Sequence, residues 1–200
     1  MRYEVEMKFP VADPSALEAR LTGLGTTIAA AQSEVDVYFA HPARDYSRTD
    51  EALRLRRKGT AYSITYKGPK IDAATKTRRE IDLPLATDEE GFKAWFAMLE
   101  ALGFSIAGEV RKSRRKARVL WQERSVEVSL DAVERLGEFA ELELVVDDGS
   151  TTGVDGAATD APRSPSIEAA IQCIASLAAA LGLEASERRS YLELLMDKDQ

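Results

Sequence analysis

The sequence predicts an α+β fold: a closed antiparallel β-barrel of about eight strands, with helices packed outside and charge inside. Three observations carry the prediction. Strand-like segments recur along most of the 200 residues. Nearly every one has one apolar and one charged face, because side chains on a strand alternate sides. Amphipathic helical segments are available to cover the apolar faces, which turns the charged faces inward, and a barrel of that size can hold a small ligand.

The first strand runs from Tyr3 to Phe9, with Glu4, Glu6 and Lys8 on one face and Tyr3, Val5, Met7 and Phe9 on the other. Asp13-Pro14-Ser15 supplies an N-cap with proline at the first helical position; Leu17, Leu21 and Leu24 follow at helical spacing and Gly25 stops the helix. Asp36 to Phe39 is a short strand, and His41 to Asp50 reads as loop. Ala52–Lys58 and Ala61–Lys67 pair around Gly59-Thr60, and Gly68-Pro69 ends the second of them. Arg54 and Arg56 oppose Leu53 and Leu55, and Lys67 shares a face with Thr65. Residues 70–77 form a polar connection to the strand Arg78–Leu83, where Glu80 and Asp82 oppose Ile81 and Leu83.

Thr87 with Glu90 resembles a capping box that opens a helix to about Leu102, with Phe92, Trp95, Phe96, Leu99 and Leu102 as its apolar stripe. Strands follow at Gly108–Arg115, Ala117–Gln122, Ser125–Leu130 and Phe139–Val146. Lys112 and Arg114 share a face, with Val110 set opposite; Asp131 ends the third of these strands; Glu141 and Glu143 oppose Leu142 and Leu144. The run 147–165, rich in Asp, Gly, Ser, Thr, Ala and Pro, reads as a mobile loop inside a single domain spanning 1–200. Ser166–Leu181 is an alanine-rich helix, and a last helix starts near Ser186.

Composition narrows the chemistry. With 44% hydrophobic and 30% charged residues the chain has the make-up of a soluble globular protein. No apolar run is long enough to span a bilayer, and the charged start MRYEVEMKF does not suit a signal peptide, so a cytoplasmic setting without membrane partners is expected. One cysteine excludes an internal disulfide, and one histidine with one cysteine argues against zinc sites and Ser-His or Cys-His nucleophiles. Any metal here should be hard and oxygen-ligated, Mg²⁺ or Mn²⁺. A net charge of −7 argues against nucleic acid as a partner.

For any single strand, solvated charge is the simplest reading; LRLRRK alone is most often an exposed edge. The whole set is harder to place in water, since acids and bases recur as i, i+2 pairs on strand after strand. Buried charge is costly unless it is paired or engaged by a ligand. A polyphosphate with its metals fits both signs: Lys and Arg neutralise phosphate oxygens, and carboxylates hold the cations that bridge them.

Glu4-x-Glu6-x-Lys8 matches an ExExK signature, and more follows in order. Asp36-x-Tyr38, Leu53-Arg54-Leu55-Arg56, Thr65-Tyr66-Lys67-Gly68-Pro69 and Arg79-x-x-Asp82 with Glu80 come first. Val110-x-Lys112-x-Arg114, Leu130-Asp131-x-Val133-x-x-Leu136-Gly137-x-Phe139-x-Glu141-x-Glu143 and Ser190-Tyr191-x-x-Leu194-Leu195 complete the series. In this the chain resembles the CYTH superfamily, the triphosphate tunnel metalloenzymes, over nearly its whole length. The resemblance implies that Lys8, Arg54, Arg56, Lys67, Lys112 and Arg114 grip a triphosphate. It implies that Glu4, Glu6, Asp131, Glu141 and Glu143 face two ions, Mg²⁺ or Mn²⁺, with Glu80 and Asp82 as further ligands. One ion would serve phosphate binding and the other would activate the nucleophile or leaving group. Asp82 stands where the family more often has Glu, and the shorter acid reaches less far. Tyr38 matches a tyrosine that in some family triphosphatases pairs with a lysine near the attacking water, so Tyr38, Lys8 and Lys67 are the catalytic candidates.

Other polar and aromatic residues take simpler readings. Arg57, Lys58, Arg79, Arg115 and Lys116 read as solvated, and Glu134 and Glu138 as loop surface. Asp36 reads as a turn or sheet-edge acid, Tyr191 as packing on the last helix, and Trp95 and Phe96 as core.

The motifs look most like the class IV adenylyl cyclase branch, in which the ribose 3′-oxygen of ATP attacks the α-phosphorus and pyrophosphate leaves. The alternative is a triphosphatase acting on thiamine triphosphate or tripolyphosphate, with the same grip and the same metals. A non-catalytic nucleotide or polyphosphate binder is a third reading, and the set of carboxylates argues against it. The covering helices or an exposed barrel rim could also support a homodimer.

Overall fold

Alternation along the strands sorts the side chains of this protein into an apolar outside and a charged inside. The computed structural model describes residues 2–70, 75–147 and 165–199. In chain order the elements are β1 (Arg2–Pro10), α1 (Pro14–Gly23), β2 (Gln32–Ala40), α2 (Tyr46–Thr49), β3 (Ala52–Lys58), β4 (Ala61–Lys67) and β5 (Arg78–Leu85). Then come α3 (Glu89–Ala101), β6 (Ser105–Trp121), β7 (Arg124–Val133), β8 (Gly137–Asp147), α4 (Pro165–Ala180) and α5 (Tyr191–Lys198). The strands close into one barrel in the order β1-β5-β4-β3-β2-β6-β7-β8, antiparallel throughout. Closure leaves no open sheet edge.

Two apolar clusters lie on the outer face. Val5, Phe9, Val128 and Leu142 pack against Leu17 and Leu21 of α1 and against Ile174 and Leu177 of α4. Cys173, 1% exposed, is part of that cluster, as its apolar helical setting predicts. Val37, Phe39 and Leu55 pack under α3, whose Phe92, Trp95, Phe96 and Leu99 form the stripe; Leu102, expected with them, is the helix C-cap and is 62% exposed. The outer face of β5 is different: Ile81 and Leu83 remain 39% and 55% exposed. A third cluster closes one end of the barrel, where Tyr191 and Leu195 of α5 meet Val110, Val133 and Phe139. That helix seats closely, since a Cβ on Gly108 would come within 2.6 Å of Leu192 Cδ1. No described helix is long and apolar enough to cross a membrane.

Several boundaries differ from expectation. Strand β2 begins at Gln32, four residues before Asp36. Residues 46–49, read as loop, form the short helix α2, whose N-cap Asp45 accepts from the backbone of Ser47 and Arg48. The two strands expected at 108–115 and 117–122 are one strand, β6, paired without a break along β7 from Lys112 to Trp121. A basic run such as RKSRRK costs a ladder nothing when its alternate members face a polar interior. The cap of α3 is Asp88, accepting from Gly91 N at 2.9 Å, rather than Thr87. The last helix starts five residues later than expected, at a capping box formed by Ser190 and Glu193. The 147–165 run lies, but for its ends, outside the described residues.

Candidate active site

The inward faces enclose a cavity of about 660 Å³. Strand β1 contributes Glu4 and Glu6, β3 Arg54 and Arg56, β4 Lys67, and β5 Glu80 and Asp82. Strand β6 adds Lys112 and Arg114, β8 adds Glu141 and Glu143, and Tyr38 of β2 completes the expected set. Two expected residues do not line it. Lys8 and Asp131 are fully buried in the wall behind, at 0% exposure each.

Most of these cations are paired with carboxylates, whereas Lys8 is held by a backbone carbonyl. Arg56 forks onto Asp36 with Nε and Nη2 at 2.6 and 2.7 Å. Arg54 lies 3.5 Å from the same acid and donates to Thr65 Oγ1 at 3.0 Å, and Thr65 in turn donates to Asp82 at 2.5 Å. Arg114 forks onto Asp131 at 2.6 and 2.5 Å and also bonds Glu141. Lys67 donates to Glu80, and Lys76 donates to Glu6 at 2.7 Å. Lys8 Nζ donates to the carbonyl of Arg189 at 2.6 Å and lies 4.0 Å from the ring centre of Tyr191.

These surroundings move proton affinities in both directions. Burial, then the neighbouring Lys76, presses the Lys8 ammonium down to about 7. Burial, then Arg114, lowers Lys112 to about 8. Burial also pushes Asp36 upward, but Arg54 and Arg56 outweigh it and hold the acid well below the carboxylate range. Glu4 is raised well above that range by burial, reinforced by Glu80, Glu143 and Glu6 and opposed by Lys67. Glu143 is raised to about 7 by burial, then by Glu6 and Glu127.

The last two shifts bear on a metal. As the side chains stand, no three acids among the described residues converge into a coordination shell. The donor chemistry nonetheless fits a hard divalent cation: Glu4, Glu6, Glu80 and Glu143 are buried oxygen donors that repel one another. A bound cation would relieve that repulsion directly.

Sequence reasoning misplaced or missed several residues. Asp36 is no sheet-edge acid but sits 1% exposed under Arg54 and Arg56. Val110 does not oppose Lys112; at a spacing of two it shares that face and points inward at the α5 end. Lys116 lines the cavity and is paired with Glu127. Tyr191 packs, as expected, but also lines the cavity and donates to Asp131 at 2.8 Å. Glu34 was missed altogether. It is 1% exposed, and its Oε2 lies 3.4, 3.6 and 3.9 Å from Arg56, Lys112 and Arg114 without a hydrogen bond. Extending the alternation of Asp36 and Tyr38 back one step would have found it. Lys76 and Arg78, both buried and cavity-lining, were missed because 70–77 read as a connection and Arg78 as a strand end. Arg57 and Arg79 are exposed, as are Glu134 and Glu138. Arg115 faces outward and bonds Glu18 at 2.5 Å.

A closed eight-stranded antiparallel barrel with a doubly charged interior, capped by a C-terminal helix, defines a tunnel protein for a small polyanion. The match to the CYTH domain model over residues 2–161 identifies it further: the chain belongs to the CYTH domain family, whose members act on small triphosphates and depend on a divalent metal. A Methanocaldococcus jannaschii protein, provisionally named an adenylate cyclase, is 37% identical over 145 residues, which is 72% of this chain and 78% of that one. Among solved structures, a Pyrococcus horikoshii protein superposes with a TM-score of 0.78 at 35% identity, over 98% of this chain and 99% of that chain. A Hippeastrum protein, provisionally named an adenylyl cyclase and described as revealing a dominant triphosphatase activity, superposes with a TM-score of 0.63 over 99% and 96% of the chains. Its 16% identity speaks for the fold alone.

Proposed function

We propose that this protein converts ATP to cyclic AMP and pyrophosphate with a divalent metal, Mg²⁺ or Mn²⁺, and that two such ions bind among its acids. The observation that carries the reading is the position of the repelling acids along the tunnel. Helix α5 closes one end, where Tyr191 meets Phe139 and Lys8. A nucleoside triphosphate therefore enters from the other end, terminal phosphate first. Glu4 lies four residues along β1 from Lys8, and Glu143, opposite Glu6, lies two residues from the level of Lys8, both on the side away from α5. At about 3.3 Å per residue these are roughly 13 and 7 Å. The acid cluster thus sits beside the phosphate that carries the nucleoside, and the α-phosphorus is the one the cyclase attacks.

A cation held by Glu4, Glu6, Glu80 and Glu143 would supply charge to the phosphate oxygens and make the nucleophile more acidic. Arg54, Arg56, Lys67 and Arg114 neutralise the triphosphate and the pyrophosphate that leaves, and they orient the chain in line. The 3′-oxygen forms its bond to the α-phosphorus, the bond to the bridging oxygen breaks, and the hydroxyl proton passes to the surrounding acids. The name of the 37%-identical relative agrees with this reading. A cytoplasmic setting and the absence of nucleic-acid partners go with it.

The second reading is triphosphate hydrolysis, favoured by Tyr38 in the cavity wall and by the activity described for the Hippeastrum protein. Pure protein with Mg²⁺ or Mn²⁺ is incubated separately with ATP, thiamine triphosphate and tripolyphosphate, and cyclic AMP, pyrophosphate and orthophosphate are measured. Cyclic AMP with equal pyrophosphate is the expected result; orthophosphate without cyclic AMP sinks the cyclase.

A further inference from the structure

The last helix carries one side chain into the cavity wall that the reaction above does not use. Tyr191 is the first residue of α5, and its position is set locally by the capping box. Glu193 N donates to Ser190 Oγ at 3.1 Å, and Ser190 N donates to Glu193 Oε2 at 2.5 Å. The ring is 5% exposed and meets Phe139 edge-on at 5.2 Å. Its hydroxyl donates to Asp131 Oδ2 at 2.8 Å, the same oxygen that accepts from Arg114 Nη2 at 2.5 Å. Asp131 Oδ1 accepts from Arg114 Nε at 2.6 Å, so three hydrogen bonds fix the plane of this carboxylate and of the guanidinium. Over the ring itself lie two further cations, Lys8 Nζ at 4.0 Å and Lys112 Nζ at 5.1 Å from its centre. Ring faces attract cations, and more so where water is excluded.

We propose that Tyr191 is a positioning residue of the anion site: its hydroxyl fixes the Asp131–Arg114 pair, and its ring holds the Lys8 and Lys112 ammonium groups. One residue of the C-terminal helix thereby touches, directly or through one carboxylate, two cations that line the cavity, Lys112 and Arg114, and a third, Lys8, in the wall behind them. The hydroxyl occupies a lone pair of Asp131 that would otherwise be free to draw in Lys112, 3.6 Å away. The proposal rests on the tunnel being a triphosphate site and is indifferent to which phosphorus is attacked.

The test is calorimetric binding of tripolyphosphate without metal, with the thermal midpoint of every protein recorded. Tyr191→Phe keeps the ring and loses one oxygen; its midpoint should stay within about 2 °C of the parent while affinity falls about tenfold. Tyr191→Leu loses the ring as well and should bind about tenfold more weakly again. Asp131→Asn should weaken binding, and Tyr191→Phe combined with it should be no weaker than Asp131→Asn alone, because both act through one bond. A parent that does not bind tripolyphosphate overturns the triphosphate reading and the proposal with it. Given a parent that binds, a Tyr191→Phe protein of unchanged affinity, effects that add in the double variant, or a Tyr191→Phe protein that fails to fold overturns the positioning role alone.

Discussion

Lys8→Met is the substitution whose consequence can be worked most fully from the structure. Lys8 is wholly buried, and burial together with Lys76 lowers its proton affinity from 10.5 to about 7. A lysine lowered in the folded state holds its proton less tightly there than in the unfolded chain. Its contribution to stability is therefore complete above pH 10.5 and is lost as pH falls through 7. Glu143 runs the other way. Raised from 4.5 to about 7, it favours the folded state when protonated, so it adds stability as pH falls through 7. Between pH 8 and pH 6 each changes by about 1 kcal/mol, with opposite sign. Methionine fills the same space without the charge and leaves the Glu143 contribution unopposed. Stability from urea unfolding, followed by circular dichroism without metal at pH 8, 7 and 6, should show the variant-minus-parent difference rising by about 1 kcal/mol on acidification. A difference that is flat, or that falls, refutes the assignment of a titrating buried ammonium to Lys8.

Three further outcomes are expected. Because Glu143 is largely protonated at pH 6 and Glu4 is raised as well, a divalent ion held there should release at least one proton on binding at pH 6 and fewer at pH 8; titration in buffers of different ionisation enthalpy reads the number, and no buffer dependence at pH 6 contradicts it. Glu4→Gln with Glu6→Gln should abolish metal-dependent turnover with the barrel intact by circular dichroism, and near-normal activity would defeat their assignment as metal ligands. Leu142→Ala, a fully buried residue of the outer core, should cost about 2–5 kcal/mol in urea unfolding with tripolyphosphate affinity of the folded protein unchanged.

The barrel was legible in the sequence because its strands carry opposite chemistry on their two faces, and period-two alternation reports that without any knowledge of partners. Glu4, Glu6, Arg54, Arg56 and Glu141 could be assigned inward on this ground alone, and the structure has them lining the cavity. What escaped depends on contacts between elements. Glu34 lay beyond the point where β2 was begun, and its burial comes from cations on β3 and β6. Lys76 sits in a segment without apolar alternation, and its ion pair and backbone hydrogen bond with Glu6, 70 residues away, hold it in the wall beside Glu141. Tyr191 has the spacing of a packing residue; its bond to Asp131 spans 60 residues and leaves no mark in local pattern. The merged strand β6 has the same origin, since its polar middle reads as a break until β7 is seen to pair along all of it.

The mixed signs of the interior have a physical consequence for how ligands bind. The carboxylates that hold the cations fall into two kinds. Asp36 and Asp131 sit behind Arg56 and Arg114, fully buried and saturated by forked bonds, and orient the guanidinium groups without blocking them. Glu80, Glu6 and Glu141 instead face Lys67, Lys76 and Arg114 from the cavity wall itself. A triphosphate that takes those cations deprives the second kind of their counter-charge, and a buried charge stripped of its partner costs about 3–5 kcal/mol. A divalent cation restores the balance, since the released acids are hard oxygen donors. Conversely, a cation that takes the acids first leaves lysines in search of an anion. Each ligand therefore prepares the site for the other, and by linkage the gain is equal in both directions. A uniformly basic tunnel would bind phosphate without this coupling; alternate acids and bases on the inner strands let each ligand bind alone and strengthen the binding of the other.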